Sequence, residues 1–252
     1  MAKPKVGIFG LTGCAGDQLV ILNCEDQLMD LAGALDIRDF LMASSDNDTE
    51  CELDLALVEG TVLTRRDEER LRRIRERAKL LAAIGTCAVW GGVAAETNGF
   101  DRTRLMREVY GELGAGYDST APRALHDVVK VDLNITGCPI EKEQAVAAVA
   151  NLLNGNLPAY PDYPVCAECR MRENNCLLID RNEACCGPLT VAGCNARCPA
   201  LGVACLGCRG PAADANFPSA LAMFAERGIP REHIARRLRM FAPVTLPEGG
   251  QA

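Results

Sequence analysis

Nine cysteines lie between Cys166 and Cys208, and no other stretch of this 252-residue chain restricts its folding so tightly. They stand in the runs "VCAECRMRENNCLLIDRNEACCGP" and "GCNARCPALGVACLGC", and almost no helix or strand period is sustained until Ser219. Such a segment cannot rely on a large apolar core, so it is expected to fold around something that its thiols bind. The spacing divides into two sets of four. Cys166, Cys169, Cys176 and Cys185 form C-x2-C-x6-C-x8-C, Cys194, Cys198, Cys205 and Cys208 form C-x3-C-x6-C-x2-C, and Cys186 is left over.

The rest of the composition bounds the partners. With 48% hydrophobic and 24% charged residues, the chain can bury an ordinary core as one large domain or two smaller ones. Its formal charge of -7 carries no electrostatic footprint for nucleic acid. The one basic run, "RRDEERLRRIRERAK" from Arg65, alternates in sign and reads as a solvated helix with pairs such as Glu68 and Arg72. No stretch approaches the roughly 18 to 20 apolar residues of a membrane span. The start "MAKPKVGIFGLTGCAG" lacks the pattern of a secretory signal, so a cytoplasmic location is expected. Thiols in a reducing compartment are more often metal ligands or redox groups than disulfide partners.

Ahead of the cysteine block, short apolar runs alternate with helical patterns. Lys5 to Gly10, Leu53 to Gly60, Leu80 to Ala88 and Val128 to Gly137 read as strands. Ile21, Cys24, Leu28, Leu31 and Leu35 form a helical stripe, and Glu141 to Leu153 carries another. This alternation predicts an α/β fold with a mostly parallel sheet. Gly155, Pro158, Pro161 and Pro164 mark a linker, giving domains at 1–157 and 158–252, the second mostly irregular and closed by two short helices after Ser219.

Four thiolates suit a 4Fe-4S cubane, which takes a soft ligand on each iron, and Pro199 after Cys198 resembles the ending of bacterial cluster motifs. Structural zinc also takes four thiolates and often C-x2-C pairs, such as Cys166 with Cys169, so both readings stand at this point. Cys24, Cys51 and Cys186 read as packing or incidental residues. Cys14 in "GLTGCAGD", Cys87 in "IGTCAVWGG" and Cys138 in "ITGCPIEKEQ" fall where strands end, and loops at the carboxyl ends of a parallel sheet converge on one crevice. The Gly-rich loop after the first strand is neither G-x-G-x-x-G nor a P-loop with Lys. His126 and His233, the only histidines, lie in no catalytic pattern.

The combination of "TGCAGD", "GTCAVWGG" and "TGCP" with the cysteine block resembles the small subunit of nickel-iron hydrogenases, over residues 5 to about 211. The resemblance implies a flavodoxin-like N-terminal domain that holds a proximal cluster and a C-terminal domain that holds two more, three 4Fe-4S clusters in all. Cys14, Cys87 and Cys138 would be proximal ligands, with Asp17 where most members have the second Cys of C-x-x-C. Asp17 would then bind iron as a harder ligand, or merely cap the following helix. Cys194, Cys198, Cys205 and Cys208 would hold the medial cluster, and Cys166, Cys169, Cys176 and Cys185 the distal one. A Cys at 166, where periplasmic members usually have His, resembles the cytoplasmic archaeal group, which reduces coenzyme F420 or passes electrons to heterodisulfide reductase, and the Asp at 17 resembles the coenzyme F420-reducing branch in particular. That branch implies a large subunit with the nickel-iron centre, an FAD-containing subunit that reduces F420, and a higher hetero-oligomer. A viologen-reducing, heterodisulfide-reductase-linked hydrogenase is the runner-up, and a zinc-stabilised scaffold is the reading from another class. The cluster-bearing subunit of respiratory complex I shares the N-terminal architecture, but normally has tandem cysteines and lacks the second lobe.

Overall fold

A computed structural model describes residues 3–24, 27, 33–156 and 158–243. The chain forms two compact units, Met1–Leu157 and Pro158–Ala252. In the first, five strands make one parallel sheet: β1 (Lys5–Gly10), β2 (Asp36–Asp39), β3 (Leu53–Glu59), β4 (Ala78–Ile84) and β5 (Leu133–Ile135), in the order β2-β1-β3-β4-β5. This is the flavodoxin-like order, whose switch point lies between β1 and β3. The expected α/β class and parallel sheet are therefore present. "LDLALVE" is nearly continuously apolar because β3 is covered on both faces, and all its residues but Asp54 are buried.

Two predicted strands are shorter than their apolar runs. β4 stops at Ile84, and Gly85–Trp90 turns into a short helix, α3, so Cys87 sits on a helix and not on a strand. Of 128–137 only Leu133–Ile135 pairs, while Val128, Val129 and Val131 pack against the core as coil. β2, "DIRD", is an edge strand too short and polar to show an alternation.

The helices follow their sequence signals more closely. α1 (Gly16–Leu22) opens directly after the β1 loop; Leu28 and Leu31 of the predicted stripe lie outside the described residues. α2 (Arg65–Arg77) starts at a capping box in which Thr64 accepts the Asp67 N–H and Asp67 accepts the Thr64 N–H, both at 3.0 Å. Glu68 and Arg72 pair at 2.7 Å, as their spacing predicts. α4 (Arg102–Tyr110) buries none of its residues, and α5 (Lys142–Leu153) fills the predicted stripe. Phe9, Val58, Leu71, Ile74, Leu81 and Val89 form one buried cluster between α2, α3 and the sheet.

The second unit contains α6 (Val165–Met171), α7 (Leu177–Asp180), α8 (Arg197–Ala200), α9 (Phe217–Glu226) and α10 (Arg231–Arg239). Its chain segments are tied by backbone bonds such as Val165 N–H to Thr190 O at 2.8 Å and Ala212 N–H to Leu189 O at 2.9 Å. The expectation that this region lacks a sizeable apolar core is corrected. Val165, Leu178, Leu189, Phe224, Ile229, Ile234 and Leu238 are all buried in one cluster, because α9 and α10 supply an apolar face for the cysteine loops. Among the described residues, no helix is long and apolar enough to cross a membrane.

Candidate metal centres

The first candidate site stands at the carboxyl edge of the sheet. The loop after β1 brings Cys14 and, at the second residue of α1, Asp17; α3 after β4 brings Cys87; the loop after β5 brings Cys138. The four converge. Burial raises the Cys138 thiol to about 11, and the charges that act on it most are those of Cys87, Asp17, Cys14 and Glu59, all of them acids. Cys87 is likewise pushed up to about 11, first by burial and then by Asp17, Cys14 and Glu59. Cys14 and Cys138 are exposed, so the crevice opens to the surface.

Asp17 does not cap its helix. The N-cap position is Ala15, which makes no side-chain cap bond, and Asp17 Oδ1 instead accepts the Ile140 N–H at 2.8 Å. Only 6% exposed, Asp17 is raised to about 7, by burial first and Glu59 last, with the Ile140 bond pulling the other way. Gly85 makes room for it. A Cβ there would lie 1.8 Å from Asp17 Oδ2, and its φ of +81° is one that side-chain-bearing residues rarely adopt. Glu59, at the end of β3, is 2% exposed and accepts the Gln18 N–H at 3.0 Å.

In the second unit, α6 carries Cys166 and Cys169 three positions apart, hence on one face, while Cys176 precedes α7 and Cys185 follows it. These four also act on one another. Cys166 is raised to about 12 by burial and then by Cys185, Cys169 and Cys176. The set Cys194, Cys198, Cys205 and Cys208 lines the turns around α8. There Val203 donates to Cys198 O at 2.9 Å and Arg197 to Cys194 O at 3.2 Å. Burial raises Cys194 and Cys205, and the Cys205 N–H donates to Cys185 Sγ at 3.3 Å, linking the two sets. Cys186 stands apart, fully buried in the apolar cluster. Cys24 is also buried, with its thiol 3.4 Å from Val20 O, and Cys51 is half-buried.

The donor sets fit iron-sulfur clusters in chemistry. Thiols are the soft ligands that cluster irons take. Glycine stands where a side chain would crowd the sulfurs: a Cβ on Gly187 would meet Cys166 Sγ at 3.3 Å and Cys185 Sγ at 3.5 Å, and one on Gly92 would meet Cys87 Sγ at 2.5 Å. Desolvated acids facing one another are unfavourable as anions unless positive charge enters between them, and a bound cluster brings iron. Among the described residues no three His, Cys, Asp or Glu groups are drawn together as a single metal ion needs. A cubane spreads its ligands over four irons.

The family model described as NADH ubiquinone oxidoreductase, 20 Kd subunit, matches residues 14–152. Over 94% of this chain and 99% of the relative, the sequence is 42% identical to the delta subunit of sulfhydrogenase 2 of Pyrococcus furiosus. The chain belongs to this family, as a nickel-iron hydrogenase small subunit. It is 29% identical to a subunit of the vhu F420-non-reducing hydrogenase of Methanocaldococcus jannaschii, over 97% of this chain and 95% of the relative. To the gamma subunit of coenzyme F420 hydrogenase of Methanosarcina barkeri it is 28% identical, over 60% of this chain and 55% of the relative. Among solved structures, an NAD+-reducing [NiFe]-hydrogenase in the H2-reduced state matches with TM-score 0.56 and 29% identity, over 64% of this chain and 96% of that one. A reduced Ni-Fe-Se hydrogenase from Desulfomicrobium baculatum shares the fold over 87% of this chain and 97% of that one, at TM-score 0.58 and 18% identity.

For a small subunit of this family, two carboxylates escaped the sequence reading. Glu59 ends an apolar run and resembles a solvated turn residue until β3 is seen to finish inside the crevice. Glu168 lies between Cys166 and Cys169. It is 8% exposed and accepts the Gly193 N–H at 2.8 Å and the Ala196 N–H at 3.1 Å, pinning both sides of the Cys194 loop.

Proposed function

We propose that the chain relays electrons in a nickel-iron hydrogenase through three 4Fe-4S clusters. Cys14, Asp17, Cys87 and Cys138 would hold the proximal cluster in 1–157. Cys194, Cys198, Cys205 and Cys208 would hold the medial one, and Cys166, Cys169, Cys176 and Cys185 the distal one, in 158–252. The observation that carries this reading is that three separate strand ends deliver three thiols and one carboxyl group to the same edge of the sheet, near enough for their charges to act on one another. A bound cluster supplies one-electron transfer at a potential set by its ligands, hydrogen bonds and burial. The residues of this chain hold, space and desolvate those centres. Asp17, fixed by the Ile140 N–H, would offer a hard oxygen donor, and Glu59 holds the start of α1 through the Gln18 N–H. Hydrogen is split on a nickel-iron centre in a partner large subunit, within a cytoplasmic hetero-oligomer.

For the acceptor, the order of likeness supports the branch that does not reduce F420. The sulfhydrogenase and F420-non-reducing relatives align over nearly the whole chain, the F420 hydrogenase relative over 60% of it. Asp17 alone carried the F420 reading, and its buried bond to Ile140 is a property of the crevice that says nothing of the acceptor. The assembled complex is expected to reduce viologen with hydrogen and to leave F420 oxidised; F420 reduction at a comparable rate would restore the other branch. Iron, sulfide and zinc analysis of anaerobically purified protein tests the centres. About twelve irons per chain is expected, whereas two zincs without sulfide would exclude the relay.

A further inference from the structure

Away from the cysteines, α2 lines a cavity of about 590 Å³ in the first unit. Arg66, Arg70 and Arg73 form its basic wall, at spacings of four and three along one helix face. Phe9, Leu41 and Ile74 supply an apolar surface, and Glu50, Glu76 and the Arg77-paired Asp39 add carboxylates. Arg70 is held in place by donating to Gly10 O at 2.8 Å. Its neighbours are not so used. Arg66 and Arg73 are exposed and have no side-chain partner among the described residues, while Arg72, Arg75 and Arg77 of the same helix are all paired with acids.

We infer that this cavity binds a hydroxyl-bearing organic phosphate of the nucleotide class. Several guanidiniums suit a phosphate, whose non-ester oxygens accept more than one donor fork, better than a carboxylate with two oxygens. The volume lies within the range of small-molecule sites and leaves space beyond a phosphate group for an organic body against Leu41 and Ile74. Glu50 and Glu76 disfavour a second anionic end and accept hydrogen bonds from hydroxyl or amino groups. Arg66 and Arg73 stand two helical turns, about 10 Å, apart, so a ligand engages Arg70 together with one or both of them.

Calorimetric titration of the full chain in its assembled complex, under anaerobic conditions, tests this with ADP and inorganic phosphate as probes. ADP is expected to bind saturably and more tightly than inorganic phosphate. The Arg66→Ala/Arg73→Ala pair is expected to weaken ADP roughly tenfold or more, through lost charge-assisted bonds. The Arg66→Lys/Arg73→Lys pair, which keeps charge but loses the fork, is expected to recover only part of that. Absence of ADP binding, equal affinity for the two probes, or binding indifferent to the alanine pair would each overturn the inference.

Discussion

Asp17 Oδ1 accepts the Ile140 N–H at 2.8 Å across a separation of 123 residues, joining the start of α1 to the loop that carries Cys138. The bond holds a carboxyl group that burial raises to about 7 at the crevice where Cys14 and Cys87 also arrive. Replacing Asp17 by Ala leaves the buried Ile140 N–H without its acceptor, which should cost about 1–3 kcal/mol of unfolding free energy. If the proposed proximal cluster is bound there, the same change should alter its electron paramagnetic resonance, and Asp17→Cys should give an all-thiolate signal. An unchanged spectrum in both variants would confine Asp17 to its structural bond.

Gly85→Ala places a methyl group on the Asp17 carboxylate and forces a positive φ on a side-chain-bearing residue. The expected loss is about 1–3 kcal/mol or more. Chemical denaturation of the purified variant measures it, and an unaffected midpoint would show that Asp17 has another place to go.

The adjacent pair Cys185 and Cys186 should behave oppositely. Cys185 is half-buried among the thiols that act on Cys166, whereas Cys186 is fully buried in the apolar cluster. Cys185→Ala should lower iron content by up to about four atoms per chain. Cys186→Ala should keep the iron and cost about 1 kcal/mol through lost packing. Equal iron loss from both would mean that the two exchange roles.

Glu168→Ala removes the acceptor shared by Gly193 and Ala196, two otherwise buried or half-buried backbone donors. The Cys194 loop should loosen, with a loss of about 2–3 kcal/mol, and the midpoint potential of the medial cluster proposed there should shift. Glu168→Gln keeps one acceptor oxygen and should fall between the two. A potential unmoved in the Ala variant would limit Glu168 to folding.

Asp132 gives the first unit an acid-sensitive clasp. Burial works to raise its pKa, but the Leu81 N–H at 2.9 Å, Arg75 at 2.6 Å and Lys130 at 3.1 Å outweigh burial and hold it below the usual range. The unfolded chain therefore takes the proton more readily. The stabilisation is complete above the ordinary carboxylate pKa, near 3.9, and is lost as pH falls through the lower folded value. Asp132→Asn should destabilise the protein at neutral pH and reduce the loss of stability as pH falls below about 4, as read from urea midpoints. Parallel acid limbs in the two proteins would refute the assignment.

Much of this organisation could be read from residue order. The runs of β1 and β3 end at Gly10 and Glu59 because they are fully covered strands, and the loops after β1 and β5 then carried Cys14 and Cys138 to one edge. The β4 boundary was hidden because "TCAVW" stays apolar after the chain has turned into α3. β2 was invisible because an edge strand of four residues needs no apolar face on both sides. In the second unit, α6 is only seven residues long, so its i,i+3 pairing of Cys166 with Cys169 resembled bare metal-motif spacing. Glu59 and Glu168 could not be singled out, since a carboxylate's burial depends on contacts far away in sequence.

The sheet order has a consequence for how the protein is made. The crevice draws on the ends of β1, β4 and β5, so it exists only when strands from distant parts of the chain have found their register. The thiols of the second unit all lie within one continuous stretch of chain. Metal uptake at the site proposed for Cys14, Cys87 and Cys138 would thus be a gauge of completed assembly: a chain caught with any of those strands out of place would have nowhere to receive it.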